Sequence, residues 1–232
     1  MALNTNNRLP DPDWGIDQDG TGGTSFTKGP GFASVNVSSK QPVMRDRTNS
    51  GRLISRVQMY HQWRIDISYN PMTEAQFDPI YSFLLRKQAE ASAFYVVLPQ
   101  DKLTSGNFNT LANVAGDFNA TANISAGARA LTLDHGGTAP ASDFTADNLP
   151  PVGTYFNIPS IDFKTYMITA AELNSTNADI SFIPALSKNI TTTDDFEFLT
   201  VQFRVVQVGD TSQYSLGTTG LYQFSLKLEE AL

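Results

Sequence analysis

Residues 61–99, HQWRIDISYNPMTEAQFDPIYSFLLRKQAEASAFYVVLP, read as one strand–helix–strand unit. Trp63, Ile65, Ile67 and Tyr69 alternate with Arg64, Asp66 and Ser68. That period of two marks a strand with one buried side. Asn70-Pro71 then punctuates the chain. Thr73 and Gln76 have the spacing of a capping box, while Asp78-Pro79 offers a second helix start. A helix from Thr73 carries Pro79 inside it and loses a hydrogen bond there. The sequence therefore predicts a first turn from Thr73 and a kink or restart at Pro79. Phe77, Ile80, Tyr81 and Leu84 form an apolar stripe at helical spacing, and Arg86 and Lys87 sit in the last turn, where cations suit the helix dipole. Phe94 to Leu98 makes the second strand. The local unit is one helix packed on a sheet.

Working outward, residues 1–31 are rich in Gly, Asp, Asn, Pro and Thr and read as an arm or long loop, ordered against a neighbour. Within it Asp17, Asp19 and Gly20 have the start of a calcium-loop spacing, but no Glu closes the loop, so a polar loop is the better reading. Residues 32–37, FASVNV, make a short strand. Residues 40–56 form a basic, polar connection with a turn at Asn49-Ser50-Gly51. Its arginines Arg45, Arg47, Arg52 and Arg56 are candidates for pairing with acids of another subunit, against the alternative of a solvated loop.

After Pro99 the chain changes character. Short apolar runs at 128–133, 153–158, 165–168 and 179–183 are separated by turn signals, which predicts a small barrel or sandwich. Residues 199–208 and 221–228 then return to longer strand patterns that suit the first unit. The expected organisation is an arm (1–31), a β domain with a helix (32–100 and 199–232) and an inserted β domain (101–198).

Composition bounds the function. The chain has 232 residues, 41% hydrophobic, 11% aromatic and only 17% charged, with a net charge of −7. That supports one large core or two small ones and argues against disorder. No basic cluster offers a phosphate grip, although an acidic channel would let nucleic acid slide without sticking. There are no cysteines, so disulfides and thiolate chemistry are excluded. No apolar run approaches a membrane span, and the first residues lack the pattern of a secretory leader, so a soluble protein made in the cytoplasm is expected.

A search for chemistry finds little. His61 lies on a strand, and His135 sits in a Gly-rich DHGG turn beside Asp134. Neither has an identifiable partner for a triad or a metal. Phosphate-cradling and dinucleotide motifs are absent. Carboxylates pair in sequence at Asp194-Asp195 with Glu197 and at Glu229-Glu230, but such adjacency does not place two carboxyls across a bound sugar. Tyr155, Phe156, Phe163 and Tyr166 suit sugar stacking or a barrel core equally. No catalytic residue, cofactor or metal is expected.

Two blocks of sequence resemble a tailed-bacteriophage tail protein of the tube and distal-tail type. The first is RDRTNSGR (45–52), HQWRIDISY (61–69), PMTEAQFDPIYSFL (71–84) and AFYVVLP (93–99). The second is GARALTLDHGG (127–137), VGTYFNI (152–158), KTYMITAAEL (164–173) and ISFIPAL (180–186), which is similar to small β domains carried by tail and baseplate proteins. The closing YQFSLKLEEAL also looks like the final strand of such proteins. The resemblance implies a mainly β fold: a tail-tube-like sandwich or barrel with one packed helix, plus an inserted small β-barrel. It implies no catalytic residues. It further implies a structural place in the virion: a hexameric homo-oligomeric ring at the distal end of the tube, between tube and baseplate hub. DNA would pass without specific binding, and no membrane is involved. Its rivals are the repeating tube subunit and a carbohydrate- or receptor-binding tail module. A glycan hydrolase is the least supported.

Overall fold

A strand at Gln62–Tyr69 and a helix at Glu74–Lys87 organise the first half of the chain. The computed structural model describes residues 7–16, 21–26, 28–57, 60–98, 106–114, 116–137, 143–209 and 213–231. In chain order the elements are β1 (Gly15–Ile16), β2 (Gly22–Gly23), β3 (Phe32–Lys40), β4 (Val43–Arg47), β5 (Leu53–Val57), β6 (Gln62–Tyr69), α1 (Glu74–Lys87), β7 (Phe94–Val97), α2 (Asn107–Ala112), β8 (Phe118–Ala120), β9 (Ala130–His135), β10 (Tyr155–Phe156), β11 (Tyr166–Asn174), β12 (Asn177–Ile183), β13 (Gln202–Gln207), β14 (Tyr214–Leu216) and β15 (Tyr222–Glu230). The fold is mainly β. It divides into two compact units: one runs up to Val96 and resumes at Arg204, and the other is Val97–Phe203.

The first unit is built on a sheet of order β3-β6-β15-β13-β7, with β14 pairing along β15. Trp63, Ile65, Ile67 and Tyr69 are buried, as their alternation predicts, together with Phe224, Leu226 and Leu228 of β15. α1 covers this face with Phe77, Ile80, Phe83 and Leu84. The Phe83 ring meets Phe94 edge-on at 5.3 Å. Helix α1 is one continuous element with Pro79 inside it, so the expected restart does not occur. Its first turn starts from Thr73 as the spacing predicts, with a capping box in which Gln76 Oε1 accepts the Thr73 N–H at 3.2 Å.

Residues 7–9 run beside β7. The Leu9 N–H donates to the Tyr95 carbonyl at 2.8 Å, and the Tyr95 N–H donates to the Asn7 carbonyl at 2.6 Å. Leu9 is buried, and an Arg8–Asp11 ion pair at 2.7 Å holds the following turn. This part of the expected arm pairs with β7 of its own chain.

The second unit is a five-stranded antiparallel sheet, β10-β11-β12-β9-β8. Its two edges meet one segment: the Phe196 N–H donates to the Phe118 carbonyl in β8, and the Glu197 N–H donates to the Asn157 carbonyl beyond β10, both at 2.9 Å. Bridging the edges in this way closes the sheet into a small barrel. Leu133, Phe156, Tyr166, Ile168, Ile180, Phe182, Phe196 and Phe198 fill its core. Phe156 and Tyr166 are thus core residues and not platforms for sugars.

Candidate interaction surfaces

On the face of the first sheet turned away from α1, β3, β6 and β15 present polar side chains between Ser34 and Glu229, and β13 adds Val206 opposite Glu229. Strand register arranges the polar ones in three cross-strand rows: Ser34, Ser68 and Ser225; Asn36, Asp66 and Lys227; Ser38, Arg64 and Glu229. These are the polar partners of the buried alternation, so one period-two pattern writes both faces. The Ser34 and Ser68 hydroxyls hydrogen-bond at 2.7 Å. Arg64 donates to Glu229 with Nε at 3.0 Å and Nη2 at 2.9 Å. Lys227 stands directly opposite Asp66. Two cations and two carboxylates therefore cancel within the rows. An acidic lining that would suit a DNA channel is not present on this face; the three rows are charge-balanced and hydroxyl-rich, and Lys40 and Arg204 add cations beyond them.

The connection at 40–56 is not a loop. β4 and β5 form an antiparallel hairpin, pairing Val43 with Val57 through Arg47 with Leu53. Its turn closes through Thr48, whose N–H donates to the Arg52 carbonyl at 3.0 Å and whose carbonyl accepts the Gly51 N–H at 2.8 Å. Gly51 sits at φ +81°, the left-handed region that a side chain disfavours. The register separates the four arginines. Arg45 and Arg47 share one face with Val43 and Leu53, while Arg56, and by alternation Arg52, share the other with Met44, Asp46 and Ile54. All four arginines are exposed. So are Met44 (60%), Leu53 (55%) and Ile54 (52%). Among the described residues, none of the four arginines makes an ion pair. A lone two-stranded ribbon with both faces in water is marginal in stability.

Residues 23–101 match the family model described as distal tail protein pb9, A domain, N-terminal. The distal-tail resemblance holds over this stretch. It spans β3, the hairpin, β6, α1 and β7, and so carries the hairpin and the β3 and β6 part of the polar face, while β15 lies outside it. No curated protein matches the chain. The family supports a structural role in a phage tail and assembly with other tail components.

The other candidates resolve into structure. His61 bonds Ser39 Oγ through Nε2 at 2.9 Å and packs edge-on to Trp63. His135 is the last residue of β9 and is buried, not part of the turn itself. Asp194 accepts the Thr191 N–H at 2.7 Å and the Ser160 hydroxyl at 2.8 Å, which holds its carboxyl below the usual range. Glu197 accepts the Leu199 and Thr200 N–H groups at 2.7 and 2.8 Å. Glu230 is buried and accepts the Trp63 N–H at 3.3 Å. These carboxylates tie loops and strands together within their own units. Asp17, Asp19 and Gly20 lie outside the described residues.

One surface escapes sequence reading. Glu74, Asp78, Tyr81 and Leu85 fall on one stripe of α1, at steps of four, three and four residues. Beside this stripe stand Tyr214 of β14 and Tyr222 of β15. The Tyr81 and Tyr214 rings are 5.3 Å apart, and Phe77 stacks on Tyr222 at 4.5 Å beneath them. The Tyr222 phenol is pushed up by desolvation and then by the Glu74 and Asp78 carboxylates. Leu85, Tyr214 and Leu216 are exposed. The available signal was the alternation of Tyr214 and Leu216 inside what reads as a turn-rich segment.

Proposed function

We propose that this chain forms a ring at the distal end of a phage tail tube, joins the tube to the baseplate hub and lines the DNA channel with the open face of its first sheet. The observation that carries the reading is that face, whose β3 and β6 strands lie in the segment that matches the distal tail protein family model. Duplex DNA presents about one negative charge per 1.7 Å of axis, and each free cation facing it would add a salt-sensitive contact. Rows in which Arg64 is held by Glu229 and Lys227 stands opposite Asp66 offer the duplex little to grip. The hairpin with Arg45, Arg47, Arg52 and Arg56 then serves as a contact between subunits of a hexamer.

In this reading residues 32–100 and 199–232 are the tail-tube-like domain and 101–198 an insertion. A bulky insertion favours a single ring at a junction over the repeating tube subunit, which would have to accommodate it at every level. Light scattering on the full chain over a range of concentrations tests this. The expected result is a closed species of six 25.4 kDa chains. Growth without limit would make it a tube subunit. A chain that stays monomeric at every concentration would remove self-closure and favour a binding module.

A further inference from the structure

We infer that the hairpin β4–β5 of one copy docks on the aromatic, acidic stripe of α1 and β14 on a second copy, the occupant being another molecule of this same chain. The inference rests on the ring reading and names its two mating surfaces. The hairpin face of Val43, Arg45, Arg47 and Leu53 is cationic and apolar and carries no carboxylate. The stripe presents Glu74 and Asp78 beside three tyrosines, with Leu85 and Leu216 at its margin. Among the described residues, neither these arginines nor these two carboxylates has an ion-pair partner, so each surface carries the charge that the other lacks. Guanidinium groups also pack favourably on tyrosine rings, and Leu53 would meet Leu216 and Leu85. The two surfaces are different patches of one chain. A contact between them is head-to-tail, and such contacts close into rings or run on as filaments.

The chain has no cysteine, so single introduced thiols report the contact directly. Leu53→Cys and Leu216→Cys, both at exposed positions, are placed on separate full-length chains, mixed and treated with a short bismaleimide. The mixed 53–216 dimer is expected to form about tenfold faster than the dimer of either variant alone. Adding Glu74→Lys and Asp78→Lys to the Leu216→Cys chain should slow it about tenfold, and adding Arg45→Glu and Arg47→Glu to the Leu53→Cys chain should then restore it. The restoration separates a lost contact from a misfolded variant. Equal rates in the mixture and the single variants, or rates indifferent to charge reversal, overturn the inference. Failure of this contact in a chain that still closes into a hexamer would leave the proposed function standing. A 53–216 cross-link in chains that polymerise without limit would keep the contact and remove the distal ring.

Discussion

His135 shows how a residue that looks chemical becomes structural. Its Nδ1 accepts the Gly137 N–H at 3.2 Å, which places the imidazole proton on Nε2. The ring is buried edge-on against Phe118, with centroids 4.7 Å apart, and Nε2 has no partner among the described residues. Burial lowers its pKa from 6.5, outweighing the opposing pull of Asp134 and Asp117. A second proton would have to go on Nδ1, against the Gly137 donor. The sign follows. A depressed pKa means that the folded state prefers the neutral ring. The stability this preserves is complete above pH 6.5 and is lost as pH falls below it toward the folded pKa. Urea unfolding should therefore show stability declining from pH 6.5 to about 5, before carboxylates dominate. His135→Phe should flatten that slope, and an unchanged slope would place the proton uptake elsewhere.

Among the elements, α1 is the clearest test of local rules. Pro79 has no N–H for the Ala75 carbonyl, yet the helix runs through it. The four buried side chains on the sheet side outweigh the missing bond. Pro79→Ala should consequently stabilise the chain by about 1–3 kcal/mol, seen as a higher urea midpoint with an unchanged slope. A lower midpoint would mean that the fixed proline backbone contributes more than the bond it forgoes. The same helix shows what was legible. β6, α1 and β15 can be read from sequence because each has one wet and one dry side, so polarity alternates with the geometry, and β7 because it is a short continuous apolar run. β4 and β5 could not be, since both of their faces are exposed and Arg, Met, Ile and Leu fall on either side without contrast. The hairpin's arginines were identified as interface candidates, but their division between two faces required the register. The acidic tyrosine stripe was invisible because Tyr214 and Glu74 are brought together only by the fold.

For the whole chain, the two units have separate cores, and each should register in calorimetry. Phe156 is fully buried and touches Tyr166, Phe182, Phe196 and Phe198 within the barrel. Phe156→Ala should cost about 3–5 kcal/mol. It should lower one thermal transition while a second, belonging to the sheet and α1, stays in place. A single transition that moves as a whole would show the units unfolding together. The strand-like run of residues 7–9 bears on how such a chain is handled. The matched segment begins at residue 23, which invites trimming there. Residues 7–9 occupy the outer hydrogen-bonding side of β7 through Tyr95. A shortened chain would therefore present a bare β7 margin to any other chain in solution, and would precipitate where the full-length protein stays dispersed.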